Sequence, residues 1–284
     1  MQSCVTHSGL AFELRQYAKR FPPLYWLVGL LRYLKHRIRL RAEEGAYAAS
    51  HNPLVPPPAL RFRVHGAMQE GVYLHAGLVI ATCIDEGWRR HRQGPPSEVL
   101  DFGCGPGRVA IQFKQLERGC KLSGTDIDPE AVSWAREHLS EIGVFETNAL
   151  VPPLRYAKDF FDLVYTVSVF THLDEESQFQ WLEELARVLR SGGLLIATVH
   201  GATARASCTL SEIAALEAKG FVYRVDRTGR LKLDGLPDSY QTTFHSKAYV
   251  ERTWQHHFEL LEYLEGGLAG DQDVVILSRR ITSR

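Results

Sequence analysis

The feature that most constrains this chain is the run Asp101-Phe102-Gly103-Cys104-Gly105-Pro106-Gly107, which follows the apolar Val99-Leu100 and leads into an apolar-periodic stretch from Arg108. Glycine at alternate positions lets a strand turn sharply into a helix, lets a ligand lie against bare main chain, and brings helix and strand close together. The start of that helix offers amide N–H groups with no intrahelical partner. Packing alone poorly explains three glycines in this spacing. Asp126 ends the next expected strand, Lys121–Asp126, where a carboxylate can accept from both hydroxyls of a ribose. The spacing is G-x-G-x-G rather than the G-x-G-x-x-G of dinucleotide sites, and there is no Tyr-x-x-x-Lys pair, so NAD-dependent oxidoreduction is disfavoured.

From Glu98 onward strand and helix patterns alternate. Strands are expected at Val99–Phe102, Lys121–Asp126, Val144–Thr147, Phe161–Val167 and Leu194–Val199. Between them, helices are expected at Arg108–Leu116, from Pro129 to about Ser140 with Asp128 as its cap, and at Asp174–Arg190, closed by Gly192-Gly193. A helix at Leu210–Lys219 follows, then a hairpin of Phe221–Val225 and Arg230–Leu233 turning at Thr228-Gly229. A helix at Lys247–His257 and strands at Leu260–Leu264 and Val274–Ser278 come last. The pattern predicts a doubly wound α/β fold, a mostly parallel seven-stranded sheet with an antiparallel last strand and an inserted hairpin or lid before the last two strands.

The N-terminal part differs in kind. No acidic residue falls between Arg15 and Ala42, while Arg32, Lys35, Arg37, Arg39 and Arg41 alternate with Trp26, Leu27, Leu30, Leu31 and Leu34. This basic amphipathic helix is open to two readings: peripheral contact with a membrane through residues 24–41, or packing of its apolar stripe on the main domain, which is the simpler. The prolines from Pro53 to Pro58 predict an extended connector, and Gln69–Arg92 a long helix. The expected division is a helical extension with its connector over 1–66 and a catalytic unit over 67–284, with a cofactor core at 97–200 and a substrate-side insertion at about 203–257.

Composition narrows the partners. Lys plus Arg equals Asp plus Glu at 33 each, so no nucleic acid or acidic polymer is called for, and a small-molecule substrate is expected. The five cysteines are widely spaced without a C-x-x-C pair, which argues against disulfides or zinc. With no signal peptide visible, a reducing cytoplasmic location is expected.

Residues 98–200 resemble the core of the class I S-adenosylmethionine-dependent methyltransferases, a Rossmann-like superfamily. Glu98–Gly107 is similar to that family's first motif and Gly124-Thr125-Asp126-Ile127-Asp128-Pro129 to its second, while Phe161–Tyr165 and Arg187–Leu194 resemble the later strand-four and strand-five motifs. The resemblance implies S-adenosyl-L-methionine as cofactor, S-adenosyl-L-homocysteine as product, and a cofactor site made by Asp101, Gly103, Gly105, Gly107, Asp126, Ile127, Asn148, Ala149 and Val167. Asn148 stands where the family more often has Asp, yet its carbonyl oxygen can accept from an adenine amino group. Arg63, just before the core, is a candidate for pairing with the methionine carboxylate. Some quinone-pathway O-methyltransferases bind a metal beside a comparable His, but Thr171 breaks that pattern next to His172, so no metal is expected.

Methyl transfer to an alcohol or protonated amine needs a base. His245, inside the insertion, is the first candidate; His200, ending strand five, is the second; His172, beyond strand four, is the third. O-methylation of a small molecule is the leading expectation. N- or carboxylate methylation, methylation of a sugar or lipid-linked glycan, and a non-catalytic, membrane-peripheral binding protein are the alternatives.

Overall fold

The computed structural model describes residues 22–49, 52–225 and 240–280. Helix α1 (Pro22–Ala49) leads to a short helix α2 (Pro58–His65) and the long α3 (Glu70–His91). Pro58 therefore opens a helix rather than ending an extended connector; at a first helical position its missing N–H costs nothing. Then come β1 (Glu98–Phe102), α4 (Arg108–Leu116), β2 (Lys121–Asp126), α5 (Pro129–His138), β3 (Val144–Thr147), β4 (Phe161–Thr166), α6 (Glu175–Val188) and β5 (Leu189–Val199). After β5 stand α7 (Leu210–Lys219), β6 (Phe221–Arg224), β7 (Thr242–His245), α8 (Lys247–Thr253), β8 (Phe258–Leu268) and β9 (Gln272–Arg279).

The seven-stranded sheet runs β3-β2-β1-β4-β5-β9-β8. Strands β1 to β5 are parallel; β9 is antiparallel to both β5 and β8, so it is the one reversed strand and lies inside the sheet rather than at its edge. Alternation of side chains at period two divides the core between the two faces. Val99, Leu163, Tyr165, Leu194, Ile196, Val274 and Ile276 pack with α3, α4 and α5. Leu100, Phe102, Val164, Leu195, Ala197, Val275 and Leu277 pack with α6 and α8. A sheet covered on both faces leaves its strand ends as the place for a crevice.

Two expectations are corrected. Helix α6 ends at Val188, and Gly192-Gly193 lies within β5, which begins at Leu189. The described partner of Phe221–Arg224 is Thr242–His245, in an antiparallel register that sets Phe221 opposite His245. The expected turn and second strand of that hairpin lie outside the described residues. Strand β7 is laid across the ends of β4 and β5: the Thr243 N–H donates to the Thr171 carbonyl at 2.7 Å and the His245 N–H to the His200 carbonyl at 2.8 Å.

Candidate active site

The glycine loop takes a conformation closed to other residues. Gly103, Gly105 and Gly107 have φ of +83°, +52° and +82°. A Cβ on Gly103 would meet Val169 Cγ2 at 2.2 Å, and one on Gly105 would meet Val64 Cγ1 at 2.8 Å. The loop is thus roofed by the turn after β4 and by α2, and only glycine admits both roofs. Its N–H groups at Gly103 and Cys104 donate to the Thr125 carbonyl, at 2.8 and 3.0 Å, which ties the loop to the end of β2.

Asp126 is held by that arrangement. One carboxylate oxygen accepts from the Gly105 N–H at 2.7 Å, the other from the Asp128 N–H at 2.8 Å. Each oxygen keeps a further lone pair, the capacity needed to accept from two ribose hydroxyls. Burial raises its pKa despite these bonds. The Asn148 N–H donates to the Asp126 carbonyl at 3.0 Å, which brings Asn148 to the same strand end. Its side-chain NH2 donates to the Ala149 carbonyl at 2.8 Å, while its Oδ1 is buried with no partner in the protein. A buried acceptor without a donor is costly, and an amino group is one kind of donor that would satisfy it. Ala149 is exposed beside it, Ile127 is half-buried, and Val167 is half-buried against the core. The cradle, the anchored carboxylate and the orphaned amide oxygen fit an adenosine attached to a compact polar tail.

The other end of the crevice holds Asp101, which accepts from the Tyr165 hydroxyl at 3.0 Å and is pushed up to about 8 by burial. Arg108, the first residue of α4, donates to His65 Nδ1 at 2.9 Å. Burial lowers its pKa, against the attraction of Tyr73, Asp101 and Tyr240. Arg63 is committed elsewhere: its guanidinium pairs with Asp128 and, at 2.8 Å, with Glu130, clamping α2 to the start of α5. Arg108 escaped the sequence reading, although its position carried a signal. A cation in the first turn opposes the helix dipole, which favours anions there.

Residues 99–193 match the family described as Methyltransferase domain. They are a class I S-adenosylmethionine-dependent methyltransferase domain. The chain is 30% identical over 105 residues to malonyl-[acyl-carrier protein] O-methyltransferase of Hahella chejuensis, covering 37% of each chain. It is 36% identical over 113 residues to ribosomal protein L11 methyltransferase of Rhodopseudomonas palustris, covering 34% of this chain and 38% of that one. The match thus spans little more than a third of these curated relatives. The fold, at a TM-score of 0.51 and 18% identity, is similar to a SAM-dependent methyltransferase of Methanosarcina mazei, over 68% of this chain and 97% of that one.

Three histidines, His172, His200 and His245, lie near the ends of β4 and β5, and their surroundings separate them. His245 is 2% exposed. Gln178 spends its NH2 on the carbonyls of Phe170 and Leu173, both at 3.1 Å, so its oxygen must accept from His245 Nε2–H, at 2.9 Å. Burial pulls the His245 pKa down to about 3, and Nδ1 is sealed off with no partner. The first candidate base is therefore a core residue, walled by Phe221, Tyr249 and Trp254. His200 donates from Nδ1 to the Thr243 carbonyl at 3.1 Å, which leaves Nε2 as its acceptor; burial lowers its pKa and keeps it neutral. His172 bonds through Nδ1 to the Gln241 carbonyl, stacks on Tyr240 at 3.8 Å, and meets His200 edge to face at 6.3 Å. Phe244, 5.6 Å from the His200 ring, is fully buried, so it supports that ring from the core.

A cavity of about 400 Å³ lies past the end of β5, lined by Gly201, Arg205, Leu216, His245, Lys247 and Asp273 among others; His245, itself 2% exposed, forms part of its wall. Neither the glycine loop nor Asp126 borders it, so its size does not make it the donor site. Among the described residues no group of His, Cys, Asp and Glu is arranged to hold a metal ion.

Proposed function

We propose that this protein transfers the methyl group of S-adenosylmethionine to a small-molecule acceptor, at oxygen. The observation that carries the reading is the gathering, at the carboxyl ends of β1, β2 and β3, of the roofed glycine loop, the anchored Asp126 and the unpartnered Asn148 oxygen, with a neutral His200 at the same end of β5. S-adenosylmethionine supplies an electrophilic methyl carbon on a positively charged sulfur. The chain's own residues supply orientation and a proton acceptor. Asp126 receives the ribose hydroxyls, Asn148 Oδ1 the adenine amino group, and Ile127 packs on the base. Arg108 rather than Arg63 pairs with the methionine carboxylate. His200 Nε2 takes the proton of an acceptor hydroxyl as the new O–C bond forms and the S–C bond breaks, giving the methyl ether, S-adenosyl-L-homocysteine and an imidazolium.

The catalytic unit in this reading is residues 67–284, with the insertion at about 203–257 on the substrate side and 1–66 as an extension. Two curated relatives carry names that refer to an acyl-carrier-linked malonyl group and a ribosomal protein, so the domain alone does not choose the acceptor.

The test is incubation of the full chain with methyl-labelled donor and a metabolite extract, followed by identification of the labelled product. Calorimetric titration of the donor accompanies it. Failure to bind S-adenosylmethionine overturns the reading. Once an acceptor is found, His200→Asn should lower kcat by about a hundredfold or more if it is the base. A rate left unchanged by that substitution means an acceptor already ionised, such as a carboxylate.

A further inference from the structure

Helix α1 meets the rest of the protein through its less apolar side. His36, Leu40, Glu43 and Tyr47 are half-buried and face α2 and its neighbours. The His36 ring lies 4.5 Å from Phe62, the Arg61 guanidinium 5.7 Å from the Tyr47 ring, and Glu43 accepts from Gln69 at 3.1 Å. At 3.6 residues per turn, Leu27, Leu30, Leu31, Leu34 and Ile38 share an arc of about 100° on the opposite side. All five are exposed, Ile38 at 69%. The simpler sequence reading, in which this stripe packs on the main domain, is thereby reversed: the stripe is the outward face.

The residues beside the stripe are of one charge. Lys35 and Arg39 lie on one side of it, Arg37 on the other, and Arg41 continues its line beyond Ile38, all exposed, and no acidic residue occurs from Arg15 to Ala42. We propose that this face docks α1 on an anionic lipid surface, the leucines entering the headgroup boundary and the cations meeting lipid phosphates. A second copy is a poor occupant, because pairing two stripes sets cation against cation whether the helices run parallel or antiparallel. No single helix among the described residues is long and apolar enough to cross a bilayer, so α1 lies on the surface instead of spanning it. The proposal is independent of the reaction.

The experiment is flotation of the full chain with vesicles of phosphatidylcholine alone or mixed with phosphatidylglycerol. Flotation is expected with the anionic vesicles and should weaken as salt rises. Leu31→Asp/Leu34→Asp and Arg37→Glu/Arg39→Glu should each lower the bound fraction about tenfold or more. Both pairs are exposed, so melting temperature should not move, which separates loss of docking from loss of folding. Equal flotation on neutral vesicles overturns the proposal, as does failure to float on either kind. A dimer in light scattering that Leu31→Asp/Leu34→Asp dissolves also overturns it, by assigning the face to a second copy.

Discussion

Arg108 sits where a helix least favours a cation, at the first turn of α4, and is half-buried, with Tyr73, Asp101 and Tyr240 the groups that attract its charge. An arrangement that unfavourable is relieved by an anion, which is the role assigned to the methionine carboxylate. Arg63 already has two carboxylates. Calorimetry of S-adenosylmethionine should therefore show Arg108→Met weakening binding by about tenfold or more, the scale of a charge-assisted hydrogen bond, and Arg63→Met weakening it far less. His245 yields a second residue-level expectation, of acid sensitivity. Its imidazole resists protonation in the fold, with a pKa near 3, whereas in the unfolded chain it takes a proton below its ordinary 6.5. The unfolded state then binds more protons, so stability present above pH 6.5 is lost as pH falls towards about 3. Urea midpoints measured at several pH values should fall less steeply for His245→Gln than for the native chain, although the variant starts lower at neutral pH.

At the scale of elements, the start of α5 joins several contacts. Asp128 caps it by accepting from the N–H groups of Glu130 and Ala131, at 3.1 and 3.3 Å, and also holds Arg63 of α2. Asp128→Ala should cost about 1 kcal/mol or somewhat more in denaturant unfolding, because a cap and an ion pair go together. The cap was legible in the sequence, since Asp128-Pro129 is a local signal. The parallel strands and the glycine loop were legible for the same reason: period and turn chemistry act over a few neighbours. What could not be read depended on distant chain. The stripe on α1 is visible in sequence, but which face of an amphipathic helix meets protein depends on α2. The pairing of Phe221–Arg224 with Thr242–His245 joins strands well separated in the chain, and no local signal names so distant a partner. The burial of His245 is of the same kind. Its place inside the insertion read as substrate-facing, and no local signal brings Gln178, Phe221, Tyr249 and Trp254 around its ring.

The whole molecule depends on its sheet order. Cutting the chain before Gln272 would remove β9, and β9 is flanked by β5 on one side and β8 on the other. Such a truncation does not trim an edge; it opens the sheet, leaving two strands with unpaired backbone and the rows of Val274–Leu277 missing from both cores. The shortened chain should be insoluble or lack a cooperative melting transition in circular dichroism. The same topology governs how the protein comes off the ribosome. The five parallel strands up to β5 are made first, and β5 then waits with a bare hydrogen-bonding edge while the insertion, α8 and β8 are synthesised. During that interval the nascent chain exposes a long apolar strand to any neighbour, so its yield in the cell should depend on chaperones that shield edges until residues 272–279 arrive.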